Sequence, residues 1–385
     1  MRVSNVIAVT LVVALLTACA VPTAPEKPYL QKISYEELPG WDNDHVTDAL
    51  PALQKSCAVL ERKKTASESA LATVQPDDWA AACHKIRGIT PGDSAQARHV
   101  LADALVPYRV MTTEAGLFTG YYEPTLHGTY QQGGHYQTPL YQKPQDMITA
   151  DLGAFKSEWQ GKRLVGKVQD GKFVPYDARQ QIARGTLKDR AQPLLWVDSP
   201  VDAFFLAVQG SGHVQLPDGT IVRVGYDGNN GHDYVAIGRW LLDHNELSKP
   251  VTMHAIRAWL ASHPARAAEV MNANPSYVFF RMLNQMDGGP QGAEGVGLTM
   301  GRSLAVDPAY VPLGTALWLD TTDAKGNVLR QLMVAQDTGG AIKGVVRGDI
   351  FWGIGADAEA QAGAMQSPGV YYLLLPRGAV IHDTP

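Results

Sequence analysis

The order of apolar and polar positions divides the chain into three textures. Apolar residues recur at helical spacing through residues 45–106, which predicts helices over 46–61, 77–86 and 93–105. Asp77 and Asp93 stand where N-caps belong, and Pro107 stands where a helix must stop. From Leu117 the pattern shortens to runs broken by turn residues: 117–122 before Pro124, then 138–141 after the turn at 131–134. Further short runs lie at 162–167, 194–197, 213–216 and 220–226, the last after Pro217-Asp218-Gly219. Runs packed around turns in this way predict a small β-barrel. Helical spacing returns over 251–261 and 264–271, with Pro264 in a first turn and Asn274-Pro275 as the stop. Residues 277–376 read as strands again.

This layout predicts a mainly β fold with N-terminal helices (α+β) and a discontinuous first domain, residues 45–122 and 276–385. A second β-barrel domain, residues 123–275, is inserted into it. A cleft between two such domains is a natural seat for a polymer.

The first residues bear on location. Met1-Arg2 precedes an uncharged apolar run from Val6 to Leu16, too short to cross a bilayer as a helix and characteristic of a secretory signal. The run ends in Leu16-Thr17-Ala18-Cys19, which is similar to a bacterial lipoprotein signal: residues 1–18 are cleaved and Cys19 carries the lipid. An ordinary signal peptide with a cysteine near its cleavage site is the alternative. Ala20 after the cysteine, by its similarity to bacterial sorting signals, points to the outer membrane. Residues 19–44, with Pro22, Pro25 and Pro28, read as a tether.

Cleavage after residue 18 removes one basic residue, leaving 32 basic against 38 acidic and a net charge of −6. That balance argues against nucleic acid and against a surface held to anionic lipid by charge. A polymeric substrate would instead be met by hydrogen bonds and stacking. Cys57 and Cys83 either pair in an oxidising compartment or are two separate buried thiols. Neither has metal-ligand or CxxC spacing, and no metal or cofactor is expected.

The strongest candidate chemistry lies near the C-terminus. Asp337-Thr338-Gly339-Gly340 and Arg347-Gly348-Asp349-Ile350-Phe351-Trp352 read as strand, glycine turn and strand. Such a hairpin would hold Asp337 and Asp349 together beside a wall of Phe351 and Trp352. A carboxyl beside another carboxylate and an aromatic wall has its pKa raised, as a general acid near neutral pH requires. Asp307, before Pro308, reads as a turn or cap. Tyr121 and Tyr122 alternate across a strand, so one packs inward and the other is left to face a ligand. Thr119, Gln209 and Ser211 can hydrogen-bond a polar ligand, and Lys343 and Trp352 complete the candidate binding residues. Ser211 lacks the spacing of a nucleophile elbow. The loose dinucleotide fingerprint at Gly353 has too little chain after it to build its βαβ unit.

Several ordered motifs together resemble the membrane-bound lytic murein transglycosylase A family, with its three-aspartate C-terminal module. They are Phe118-Thr119-Gly120-Tyr121-Tyr122-Glu123-Pro124, Gln209-Gly210-Ser211-Gly212, Asn274-Pro275-Ser276-Tyr277-Val278-Phe279-Phe280, Ser303-Leu304-Ala305-Val306-Asp307-Pro308, Val311-Pro312-Leu313-Gly314-Thr315 and the segment 337–353. The resemblance implies a double-psi β-barrel catalytic domain facing a second β-domain across a groove. It implies cleavage of the β-1,4 bond from N-acetylmuramic acid to N-acetylglucosamine in peptidoglycan, leaving a 1,6-anhydro end. Asp349 matches the family's acid/base, with Asp337 tuning it. Peptidoglycan strands are the implied partner, together with the outer membrane through the lipid, and other cell-wall enzymes are admitted. Two other functions fit the same residues: a glycan hydrolase with Glu123 or Asp337 as base, and a non-catalytic peptidoglycan-binding lipoprotein.

Overall fold

The computed structural model describes residues 27–249, 251–283 and 289–382. The expected signal at 1–18, Cys19 and Ala20 lie outside them. Residues 29–111 form β1 (Tyr29–Lys32), α1 (Leu50–Leu60), β2 (Ser67–Glu68), β3 (Ala72–Val74), α2 (Pro76–Arg87), α3 (Ser94–Ala104) and β4 (Leu105–Met111). Then come β5 (Leu117–Glu123), β6 (Thr125–Thr129), β7 (Thr138–Tyr141), β8 (Ile148–Asp151), β9 (Arg163–Gln169) and β10 (Lys172–Pro175). Next are α4 (Arg179–Ala183), β11 (Pro193–Val197), α5 (Pro200–Gln209), β12 (Ser211–Gln215), β13 (Ile221–Asn229), α6 (Ile237–Asp243), α7 (Met253–Ser262), α8 (Pro264–Asn272) and β14 (Val278–Leu283). The last are β15 (Ser303–Val306), β16 (Ala316–Thr322), β17 (Val328–Asp337), β18 (Arg347–Ile354), α9 (Ala356–Ala364), β19 (Gln366–Pro368), β20 (Val370–Pro376) and β21 (Val380–Ile381).

The helix signals act close to where they stand. Asp93 caps α3 by accepting from the Gln96 backbone N–H at 2.9 Å, whereas α2 starts at Pro76, which puts Asp77 inside its first turn. Cys57 of α1 and Cys83 of α2 form a disulfide with Cα atoms 5.3 Å apart, which decides between the two readings of those cysteines.

These helices pack on a nine-stranded sheet ordered β1-β4-β20-β16-β17-β15-β18-β5-β19. The segment read as a tether through residue 44 belongs to this core from Tyr29 onward. β1 pairs with β4, and Trp41 sets its ring edge-on to buried Trp318 at 5.0 Å. Asp44 accepts both guanidinium Nη atoms of Arg302 at 2.9 Å, and both side chains are buried. An extended tether has no apolar anchor, and Leu30, Leu38 and Trp41 supply three.

A second, six-stranded sheet runs β14-β13-β12-β6-β11-β7. It includes β14, so the inserted unit extends past the expected boundary at residue 275. Helices α5, α6, α7 and α8 build an adjoining apolar cluster around Phe204, Phe205, Trp259 and Val270. Entry to this sheet is abrupt, since only Pro124 separates β5 of the first sheet from β6 of the second.

Among the described residues no backbone ladder closes either sheet into the barrels expected from the sequence. The ends of the larger ladder are β1 and β19. The reason lies at Pro368-Gly369. Pro368 has no N–H to donate, and Thr321 Oγ1 instead donates to the Pro368 carbonyl at 2.8 Å. The chain then bends at Gly369, where a Cβ would stand 2.6 Å from the Asp320 carbonyl oxygen. Beyond the bend it continues as β20, which pairs with β16.

Candidate active site

Asp337 and Asp349 come together, though not through a hairpin. β15 lies between their strands, parallel to β17 and antiparallel to β18. The glycine turn therefore carries the chain over β15, an entirely buried strand of small and apolar residues. A local reading sees adjacent apolar runs and misses the third strand that inserts between them.

The intervening strand sets the spacing. Ala305 pairs with Asp337 on one side and with Asp349 on the other, and Asp349 pairs with Thr119 of β5. The two aspartate backbones are thus two strand spacings apart, roughly 10 Å, with only the Ala305 methyl between them. Tyr121, two residues along β5 from Thr119, shares the face of the row and packs its ring 5.3 Å from that of Phe351.

Each carboxylate has a different set of partners. Asp349 Oδ1 accepts from Thr119 Oγ1 at 2.6 Å, and Thr119 Oγ1 itself accepts from Arg347 Nη2 at 2.9 Å. Among the described residues nothing donates to Asp349 Oδ2. The residue is half-buried. Asp337 has both oxygens engaged: Oδ1 accepts from the backbone N–H groups of Ala293 and Thr338, each at 2.9 Å. Its Oδ2 accepts from the Tyr121 hydroxyl, also at 2.9 Å.

Burial raises the pKa of Asp349 and the negative charge of Asp337 adds to it, while the Arg347 guanidinium and the Thr119 hydroxyl oppose both. Burial also raises Asp337, against its three donors. Both carboxyls are thus shifted upward, but Asp349 keeps an oxygen without a donor among the described residues, whereas both oxygens of Asp337 are occupied. That combination suits an acid with a positioning neighbour.

The remaining candidates separate by face. Trp352 does not flank the carboxylates, because alternation turns it to the opposite side of β18 and leaves Phe351 as the aromatic neighbour. There Trp352 packs with Tyr122, Ala358 and Ala362. A Cβ on Gly120 would lie 2.5 Å from the Trp352 ring, so this glycine makes room for the indole. Tyr122 is the inward member of the tyrosine pair, 3% exposed, and its backbone N–H donates to Gln209 Oε1 at 3.1 Å. Gln209 therefore braces β5 from the end of α5. Ser211 lies on β12 opposite Gly225. Lys343 is exposed, with its ammonium 3.8 Å from Asp307 Oδ1. Asp307 behaves as a cap, accepting from the backbone N–H groups of Ala309 and Gly344. Glu123 is buried, with both carboxylate oxygens 3.0 Å from Arg223 Nη2, so it is tied up as an ion pair.

Sequence reasoning missed two residues. Arg347 carried a usable signal, since it lies two positions before Asp349 and strand alternation puts both on one face. Glu294, in the loop that donates Ala293 N–H to Asp337, carried none. Ser56 of α1 donates to its Oε2 at 2.6 Å, and its Oε1 is buried without a partner. Burial pushes Glu294 up to about 7, against the pull of Ser56, Lys63 and Gln336. An acid raised in the folded state above its unfolded value stabilises below the unfolded pKa, and that contribution is lost as pH rises through the folded one. Unfolding measured from pH 4.5 to 8 is expected to show this loss, about 3 kcal/mol across the interval. Glu294→Gln should flatten the decline, and an unchanged slope would assign it to other groups.

Two family models match this chain. The model of the MltA specific insert domain matches residues 117–281, and that of the 3D domain matches residues 302–375. Membrane-bound lytic murein transglycosylase A of Escherichia coli (strain K12) is 35% identical over 266 residues, covering 67% of this chain and 65% of its own length. The match thus spans slightly under two thirds of that relative. Among solved structures, a membrane-bound lytic murein transglycosylase from Agrobacterium tumefaciens superposes with a TM-score of 0.82 at 32% identity, covering 91% of this chain and 98% of its own. MltA from Neisseria gonorrhoeae gives 0.72 at 31%, covering 92% and 93%. E. coli MltA with bound chitohexaose gives 0.63 at 27%, also covering 92% and 93%.

Proposed function

Because this chain belongs to the membrane-bound lytic murein transglycosylase A family, we propose that it cleaves peptidoglycan glycan strands as a lytic transglycosylase, with Asp349 as its single acid/base. The observation that carries this is the asymmetry of the two carboxyls. Asp349 has one oxygen with no donor among the described residues, on a carboxyl whose pKa is raised, whereas Asp337 has every oxygen occupied.

In the first half of the reaction the Asp349 proton passes to the glycosidic oxygen between N-acetylmuramic acid and N-acetylglucosamine, and the C1–O bond breaks. Positive charge develops at C1 while Asp349 becomes a carboxylate beside it. In the second half the muramic C6 hydroxyl attacks C1 and returns its proton to Asp349, which closes the 1,6-anhydro ring. The nucleophile belongs to the substrate, so no second free carboxylate is needed, unlike the usual glycosidase pair. The hydrolase alternative needs such a base. Glu123 in its ion pair and Asp337 under three donors are both poorly placed to serve.

The strand lies between the two sheets in this reading, and the chitohexaose held by the E. coli relative is a glycan of the same β-1,4 linkage. A lipid on Cys19 places the enzyme on the periplasmic face of the outer membrane, within reach of murein and other cell-wall enzymes. Digestion of purified peptidoglycan by the protein lacking residues 1–19, with products weighed by mass spectrometry, tests the reaction. Muropeptides one water lighter than hydrolysed ones are expected. Reducing ends without the anhydro ring would replace this function with hydrolysis.

A further inference from the structure

We infer that Arg347 and Thr119 form a one-way hydrogen-bond relay that confines the acidic proton of Asp349 to Oδ2. The inference rests on the proposed role of Asp349 as the acid, and adds two positioning residues to it.

The direction follows from what each group can donate. A guanidinium has N–H donors and no acceptor, so the 2.9 Å contact from Arg347 Nη2 must be received by Thr119 Oγ1. The Thr119 hydroxyl then has one hydrogen of its own to place. The acceptor in reach is Asp349 Oδ1 at 2.6 Å, and pointing the hydrogen there leaves no buried donor unpaired. Oδ1 is consequently an acceptor whether or not Asp349 is protonated, and the proton resides on Oδ2, to which no described residue donates. Arg347 is itself locked, because Nη1 also donates to the backbone carbonyls of Leu117 and Gly348.

The relay also meets the two demands of an acid that must later act as base. Holding the proton on one oxygen aims it, and the donated hydrogen with the nearby guanidinium stabilises the carboxylate left after transfer. Among the described residues, the groups facing Asp349 are Arg347 on its own strand, Thr119 and Tyr121 on β5, and Asp337 on β17, while Ala305 is its pairing partner on β15. Arg347 is the one cation among them.

The test is the pH dependence of initial cleavage rates on soluble glycan strands, together with kcat and KM. Thr119→Val should lower kcat by roughly tenfold or more, leave KM within about twofold, and move the alkaline limb up by about one pH unit. Thr119→Ser, which keeps the hydroxyl, should restore the wild-type limb. Arg347→Gln, acting on the relay from its far end, should move the limb in the same direction. A raised KM with an unmoved limb in Thr119→Val would make Thr119 a sugar contact and overturn the relay, as would failure of serine to rescue. Asp349→Asn in the same assay separates the two levels. If that variant stays active, the acid assignment falls and the relay with it. If it is dead while the limb is unmoved in the other variants, only the relay falls.

Discussion

Asp349→Asn is expected to lose glycan cleavage by about a thousandfold or more while melting no lower than the wild type. The activity loss is large because one carboxyl serves both halves of the reaction, and general acid or base catalysis alone contributes roughly 10²–10⁴. Asparagine keeps the shape and can still accept from Thr119 through its carbonyl oxygen, but has no proton to give. The stability expectation follows from the raised pKa. A buried carboxyl whose folded pKa exceeds its unfolded value costs stability as pH rises through the folded value, and asparagine is spared that cost. The melting temperature of Asp349→Asn relative to wild type should therefore increase from pH 5 to pH 8. A variant that cleaves at a tenth of the wild-type rate would remove Asp349 from the chemistry. One that is inactive but melts far lower would attribute the loss to misfolding.

The second large effect concerns the helical layer. Cys57 and Cys83 close a loop over a sequence separation of 26, for which loop-closure entropy gives a contribution of about 3.5 kcal/mol. Replacing both with serine should lower the melting temperature by several degrees, and adding a reductant should do so in the wild type but not in the variant. The position of the bond gives the change a second consequence. Ser56 and Lys55, beside Cys57 on α1, hold Glu294 and the Gly297 carbonyl of the loop that donates Ala293 N–H to Asp337. Loosening α1 should therefore raise hydrogen exchange at Ala293 as well as in α1 and α2. Equal melting of oxidised and reduced protein would mean that the packed helices hold without the bond.

Much of this was legible in the chain because its signals are local. Asp93 caps, Pro264 opens a helix, and alternation along 117–122 told that one of the two tyrosines would pack inward. What failed depended on distant partners. The apolar run at 303–306 gave no sign that it would lie between the strands of Asp337 and Asp349. Counting the segment before residue 45 as tether overlooked that Trp41 has a place waiting against Trp318, more than 270 positions away. Trp352 was assigned to the wrong face because proximity in sequence was weighed above the twofold alternation of a strand. Glu294 has no motif around it. Its properties come from Ser56, Gln336 and a sealed pocket wall, none of which is near it in sequence.

The junction at Pro124 has a mechanical consequence. Thr119 and Tyr121 sit on the same strand that enters the inserted sheet one residue later. Gln209 grips the Tyr122 N–H on one side of the junction, and the His213 N–H binds the Pro124 carbonyl on the other. Under the proposed function, a polymer bearing on the inserted sheet loads a strand whose other end carries Thr119, the hydrogen-bond donor to Asp349. A load on that sheet is therefore carried along the backbone that positions the donor to Asp349.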